Sequence, residues 1–535
     1  MNNKKVLLLI LSLIVFVFVA CSNKVSKLSD SEIIVNLSVE PKTIDPSFNA
    51  QIYGVIYIQH VFEGLTTRDK NNKVVEGVAE SWDISQDGKI YTFHLRTNSL
   101  WSDGKPVVAE DFVYSWRREV DPVVASEFSY QHEAVKNARD ITAGKKPVET
   151  LGVKAIDDYT LEVELEAPTA YFLELTAFPT YAPLRKDIIE KYGDKWTLSP
   201  ESYIGNGPYK MTERLADQKI VFSVNTNYYS KEEQIAKEIT FIIMSDPNTA
   251  VAGLKNGTIH FSALEPPAAE IENLKSEGYI AANYGLGTYY LELNITNEAL
   301  KDKRVRQALA LAIDRNYIVS NVTKGGQIPA GAFVPTQVRG LNGTFRSESG
   351  DYIDINNYEE NIKKAKSLMS EAGYPNGENY PILELKVSPG IYVLVGEAIQ
   401  QMWKDNLNIT VQLIIEDFPI TLQSLIEKNY QLSRMGWTGD YNDPMTMLDV
   451  MLSYGGINHS GFANANYDRL ILMAKQSPDN KVRMDAMRQA ESILIDEMPI
   501  IPLYYRADAL MINPKLKGVV LNPLGRHKFN YCYIE

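Results

Sequence analysis

Residues 91–116 contain three pieces whose order decides the fold: Tyr91-Thr92-Phe93-His94-Leu95-Arg96, then Trp101-Ser102-Asp103-Gly104-Lys105-Pro106, then Ala109-Glu110-Asp111-Phe112-Val113-Tyr114-Ser115-Trp116. The first alternates with period two, the pattern of a strand with one buried face. Asp103-Gly104 is turn chemistry. The third places Phe112, Val113, Trp116 and then Val120 on one face, which predicts a helix over 109–120. Residues 33–37 and 161–165 also read as strands, and 304–322 as one helix with Val305, Leu309, Ala312 and Ile313 as its stripe. Residues 357–372 read as a helix stopped by Gly373 and Pro375. A helix over 396–406, a strand from Ile409 to Ile415 and a helix over 479–497 follow. Strands and helices interleaved along the whole chain point to α/β lobes, not to a sandwich or a bundle. The loops at 142–147 and 340–350 are candidate boundaries.

The chain has 535 residues, enough for two or three domains. Its 23% charged and 45% hydrophobic residues are ordinary for a globular protein and exclude a disordered chain or a polytopic membrane protein. Lys and Arg number 54 against 67 Asp and Glu, a formal net charge of −13. That argues against nucleic acid as a partner, because phosphate binding needs cationic patches. Tyrosine is abundant at 31 residues, and its flat ring with a polar tip suits tolerant, wet recognition surfaces.

The N-terminus speaks to the compartment. Met1-Asn2-Asn3-Lys4-Lys5 is basic, and an apolar run from Val6 to Val19 follows. The run is short for a spanning helix and has the layout of a secretory signal. It ends Phe18-Val19-Ala20-Cys21-Ser22, where Ala20-Cys21 resembles a bacterial lipobox with Phe18 in place of the usual leucine. The resemblance implies cleavage after Ala20 and a lipid on Cys21. Residues 1–20 are then a signal peptide and 21–31 a flexible tether. Cys532 is left as a single thiol with no disulfide partner.

Motifs for chemistry are missing from the sequence. His132-Glu133 lacks the second histidine of a zinc protease helix, and His459 and His527 stand alone. Gly104-Lys105 and Gly144-Lys145 lack the rest of a phosphate loop, and no Gly-x-Ser-x-Gly elbow occurs. The reading is therefore a binding protein and not an enzyme, with no cofactor and no metal.

Three further segments join the first. They are Leu151-Gly-Val-Lys-Ala-Ile-Asp-Asp158-Tyr-Thr-Leu161, Val305-Arg306-Gln-Ala308-Leu-Ala-Leu-Ala-Ile313-Asp314-Arg315, and Arg434-Met-Gly436-Trp437-Thr-Gly-Asp440-Tyr441-Asn-Asp-Pro444. Together the four resemble the peptide class of ABC-importer solute-binding proteins, nearest its oligopeptide-binding members, over almost the whole chain from Ile33 on. The resemblance implies a periplasmic-binding-protein-like α/β fold, with two lobes closing on a ligand by a hinge plus a third accessory lobe. The first lobe would comprise 32–62, 186–287 and 508–535, the accessory lobe 63–185, and the remaining lobe 288–507. It implies a monomeric, lipid-anchored protein outside the cytoplasmic membrane that captures oligopeptides for ABC permease subunits. Relatives that take murein peptides, signalling peptides, metal complexes or haem share the fold.

The resemblance also assigns residues. Asp440 matches the carboxylate that meets the peptide α-amine, and Arg434 a cation that helps meet the carboxylate. Gly436, Trp437 and Thr438 would lie along the peptide. Phe418 matches a cleft aromatic, with Tyr130, Tyr289, Tyr504 and Tyr505 as further aromatic candidates. Two positions depart: Ala50 falls where a glutamate is expected, and Tyr392 where a histidine is.

Overall fold

The computed structural model describes residues 32–49 and 51–535. The expected signal peptide, the expected tether with Cys21, and Ala50 lie outside the described residues. No helix among the described residues is long and apolar enough to cross a membrane.

The opening stretch folds as its pattern predicts. Ile90–Leu95 is a strand and Ala109–Val120 a helix. Phe112, Val113, Trp116 and Val120 are all buried. The Asp111 carboxylate accepts from the Val108 N–H at 2.9 Å and from the Trp101 indole at 3.2 Å, so one side chain caps the helix and fixes the preceding turn. Strands Ala79–Ile84, Ile90–Leu95, Thr160–Glu164 and Val153–Asp157 form a four-stranded antiparallel sheet beside this helix.

The largest sheet among the described residues is mixed and has eleven strands. Two long antiparallel strands, Ile280–Leu293 and Ile500–Ile512, run through its middle. Their register breaks between Tyr284 and Thr288. On one side of the break Ile500–Ile512 pairs with Phe261–Ser262, which leads to Glu32–Asn36 and Glu238–Ile242. On the other side Ile280–Leu293 pairs with Leu432–Thr438, then Leu383–Val387 and Val411–Ile415, which are parallel to one another. Two large apolar cores follow this division. One gathers residues from Ile33 to Phe261 with Leu510, Phe529 and Cys532, and the other spans Leu286 to Tyr504 with Leu524.

The expected helix over 304–322 is a correction. Lys303–Leu311 is helical, but the chain turns at Ala312 and resumes as Arg315–Tyr317 and a π-turn at Ile318–Thr323. The buried Arg315 guanidinium donates to the carbonyls of Ala310, Ile313 and Pro502 and takes acceptors that a continuous helix would use. Asp314 then caps the next turn through the Tyr317 N–H at 2.9 Å. The helix expected at 396–406 starts earlier and runs Ile391–Leu407. The strand expected from Ile409 spans Val411–Ile415. Helices Tyr358–Glu371 and Asn480–Glu497 lie where the sequence puts them. Within 340–350 a short helix, Phe345–Ser349, interrupts the loop.

Candidate functional site

The site grows from the strand Leu432–Thr438 and the turn after it. Arg434 lies on this strand opposite Leu291, and Gly436 opposite Tyr289. The parallel strands Leu383–Val387, beside it, and Val411–Ile415, next in the sheet, end just before Ser388 and Glu416, and helices Ile391–Leu407 and Phe418–Ile426 start just beyond. Openings at the carboxyl ends of parallel strands are where α/β folds place ligands.

These ends hold Arg434 tightly. Its guanidinium carbon lies 4.5 Å from the centre of the Tyr392 ring and 4.3 Å from that of Phe418. Its Nε and one Nη donate to Ser388 Oγ at 3.0 and 2.8 Å. No carboxylate among the described residues forms an ion pair with it; the nearby Glu416 is taken by Lys386 at 2.9 Å. Tyr289 extends the stack, nearly parallel to Tyr392 at 5.5 Å and to Tyr504 at 4.8 Å. Tyr504, Tyr289, Tyr392, Arg434 and Phe418 thus form one continuous pile. Burial pushes the Tyr289 and Tyr504 phenols well above their usual range, so both stay neutral donors.

Gly436 presents bare backbone beside the pile. A methyl group there would meet only the Thr288 carbonyl at 3.4 Å and the Tyr289 Cα at 4.0 Å. Trp437 is half-buried and donates from its indole to the Thr446 carbonyl at 2.7 Å. Thr438 is exposed, and its hydroxyl accepts from Arg506 at 2.9 Å. Tyr505 departs from this group. Successive strand residues face opposite sides, so it turns inward and donates to the Ala332 carbonyl at 3.3 Å.

Asp440 lies past the strand, half-buried. Its N–H donates to Thr446 Oγ1 at 2.9 Å, and its carbonyl accepts from Arg526 at 3.2 Å. Among the described residues no hydrogen bond or ion pair engages its carboxylate. Burial pushes that carboxyl up; Arg526 opposes the shift and Asp449 adds to it. Tyr130, half-exposed, belongs to the same neighbourhood: burial and the Asp440 charge raise its phenol. Next to Asp440, Tyr441 stacks on Tyr171 at 4.3 Å with the rings 9° apart. Arg339 meets Glu174 at 2.9 Å close by.

The candidates therefore fall into two groups, six residues apart in sequence. One is the cation in its aromatic pile, with Phe418, Tyr289 and Tyr504. The other is the uncommitted carboxylate of Asp440 near Tyr130. Ser388, Phe178 and Arg526 were not singled out from sequence; each stands outside any motif. The Arg434 cation and the Asp440 carboxylate, neither in an ion pair among the described residues, thus lie in sequence on either side of the bare backbone at Gly436.

The chain matches the model of the bacterial extracellular solute-binding proteins, family 5 (middle region), over residues 73–459 and belongs to that family. It is 33% identical to the oligopeptide-binding protein OppA of Bacillus subtilis, over 94% of this chain and 92% of the relative. Among solved structures, the unliganded open form of the periplasmic murein tripeptide-binding protein MppA matches at a TM-score of 0.84 and 32% identity, covering 94% and 97% of the two chains. Haemophilus influenzae OppA in complex with the peptide RPPGFSPFR is equally identical at 32% but matches at 0.70, covering 94% and 99%. The fold is thus periplasmic-binding-protein-like. The relatives in this family are solute-binding proteins.

Proposed function

We propose that this chain captures oligopeptides outside the cytoplasmic membrane and hands them to the permease of an ABC importer. The observation that carries the reading is the pair of charges without ion-pair partners among the described residues, Arg434 on the strand Leu432–Thr438 and Asp440 just past its end. A general peptide receptor must read what all peptides share: an ammonium, a carboxylate and backbone amides. Asp440 takes the ammonium and Arg434 the carboxylate. Bare backbone at Gly436 offers pairing to an added strand. Six residues of extended chain span at most ~20 Å, so the ligand is an extended peptide of about three to six residues. Trp437, Thr438 and Tyr130 border it, and water fills the side-chain space. Tyr505 supports the pile from behind.

The three-lobe division fits the same reading. The first lobe takes 32–62, 186–287 and 508–535, the accessory lobe 63–185, and the second jaw 288–507, with the two long strands as hinge. The chain acts without catalysis and as a monomer. Cleavage before Cys21 and acylation there hold it to the membrane; the Ala20-Cys21 pair after an apolar run supports this. A murein-peptide ligand remains inside this reading, since such a relative has the same fold. Metal complexes or haem have less to build on, because no cluster of three or more His, Cys, Asp or Glu that could hold a metal occurs among the described residues.

The test is Asp440→Asn, which keeps shape and removes charge. Losing one partner of a desolvated charge pair costs ~2–5 kcal/mol. Calorimetry is expected to show peptide affinity falling about thirtyfold or more, with thermal unfolding unchanged. Unchanged affinity removes Asp440 from the site.

A further inference from the structure

Arg526 is a half-buried cation without an acid of its own. No carboxylate among the described residues forms an ion pair with it. Its guanidinium carbon rests 4.1 Å from the centre of the Phe178 ring, and its one side-chain hydrogen bond among the described residues goes to the Asp440 carbonyl at 3.2 Å. The turn that carries it is tied at several points. Asn522 Oδ1 accepts from the Leu524 N–H at 2.8 Å, the Asn522 carbonyl from the Gly525 N–H at 2.9 Å, and His527 Nδ1 from the Asn522 N–H at 3.1 Å. Gly525 takes φ +75°, a left-handed conformation that suits glycine. A fixed turn and a ring face therefore aim the charge at one place. That place is assembled from three distant parts of the chain: Tyr130 and Phe178, Asp440, and Arg526.

We infer that Arg526 is a positioning residue for the peptide amine site, fixing the main chain of Asp440 and supplying the counter-charge that holds its carboxylate as an anion. This rests on the assignment of Asp440 to the peptide amine. The surroundings leave no other group for the task. Asp440 is faced by Arg526, Asp449 and Tyr130. Asp449 is acidic and engaged by Lys475 at 3.3 Å. Tyr130 is a neutral phenol. On its other sides Arg526 faces Arg68 and Glu174, which pair with each other. Burial opposes the charged form of both Asp440 and Arg526. Each charge offsets part of the other's desolvation.

Two effects oppose on ligand binding. Arg526 keeps Asp440 ionised, which favours the ammonium. It also repels the ammonium, but from the main-chain side of Asp440, at longer range. Removing the charge is therefore nearly neutral where Asp440 is ionised anyway and harmful where it begins to protonate. The peptide amine sets the alkaline limb of the affinity profile, since its pKa is about 8. Asp440 sets the acid limb. Loss of Arg526 raises the Asp440 pKa, so the acid limb moves to higher pH.

The experiment is calorimetric titration of the purified protein with tetra-alanine and with N-acetyl-tetra-alanine at about pH 8 and about pH 6. Wild type is expected to bind tetra-alanine about equally at both. Arg526→Gln is expected to bind within about threefold of wild type at the higher pH and to lose clearly more than that at the lower. Arg526→Lys, which keeps the charge, follows wild type. Phe178→Leu, which removes the ring face under the guanidinium, moves the same way by less and decides the question if Arg526→Gln does not fold. The acetylated peptide shows no such pH dependence in any variant. An unchanged pH profile in the decisive variant overturns the inference. So does an equal loss at both pH values for both peptides, which is the mark of a merely structural role. Asp440→Asn separates the two ideas. If it leaves the preference for the free amine intact, the assignment of Asp440 itself falls. If it abolishes that preference while the Arg526 profile stays flat, only the inference about Arg526 falls.

Discussion

Arg434 carries its charge between two rings, with Ser388 fixing two of its five donors. A guanidinium is planar and weakly hydrated, so it can stack and still offer its remaining donors; an ammonium cannot do both. Arg434→Lys is therefore not conservative here. It is expected to weaken peptides with a free C-terminal carboxylate by ~1.5–3 kcal/mol and to leave C-terminal amides almost unchanged, as competition binding would show. Equal loss for both peptide forms would mean the side chain only supports the aromatic pile. Most of this region was legible as one run, Arg434 to Asp440, because its residues are neighbours in sequence. Tyr392 was read only as a missing histidine, and the structure makes it the link between Arg434 and Tyr289. Tyr505 was read with Tyr504, but strand alternation turns it inward. Arg526 was not legible at all. Its meaning comes from a meeting of distant segments that no spacing reveals.

At the scale of elements, the helix Asn480–Glu497 braces the site from behind. Its Glu491 carboxylate is fully buried and accepts from the N–H groups of Phe333 and Val334 at 3.1 and 2.7 Å, while pairing with Arg346. The Phe333 carbonyl in turn accepts from Thr288 Oγ1 at 2.6 Å, one residue before Tyr289. Glu491→Ala leaves the buried Arg346 with only the more distant Asp351, at 3.8 Å, and two N–H groups unsatisfied. It is expected to cost ~3–5 kcal/mol of stability, measured as a lowered denaturation midpoint with an unchanged slope. A loss under ~1 kcal/mol would place the pair in the class of exposed ion pairs. Amphipathic periodicity located this helix and Tyr358–Glu371 because their stripes are simple. It failed at residues 304–322. There a buried arginine draws on the helix's own carbonyls, and an aspartate restarts the turn. The apolar stripe runs on while the backbone breaks, so the pattern alone could not show it.

At the scale of the molecule, two apolar cores meet along the strands Ile280–Leu293 and Ile500–Ile512, and the register of those strands breaks at 285–287. Gly285 and Gly287 sit at the break, and Gly287 has no room for a methyl group beside Arg506 and Thr438. A broken ladder with small residues is a place where two halves can turn with little loss of packing. The α/β class was legible from alternating elements alone. The assembly of one core from both ends of the chain came only from the family resemblance, because nothing local marks Phe529 or Cys532 as neighbours of Phe261. The account rests on one claim, that the cleft holds a peptide by its two ends. Native mass spectrometry of the purified protein with an equimolar mixture of random tripeptides to pentapeptides tests it most directly. The account predicts a family of adducts whose masses resolve into sums of amino-acid residues, and their disappearance when both peptide termini are blocked. A protein that stays free of peptide in that mixture, or that binds blocked and free peptides alike, would contradict it.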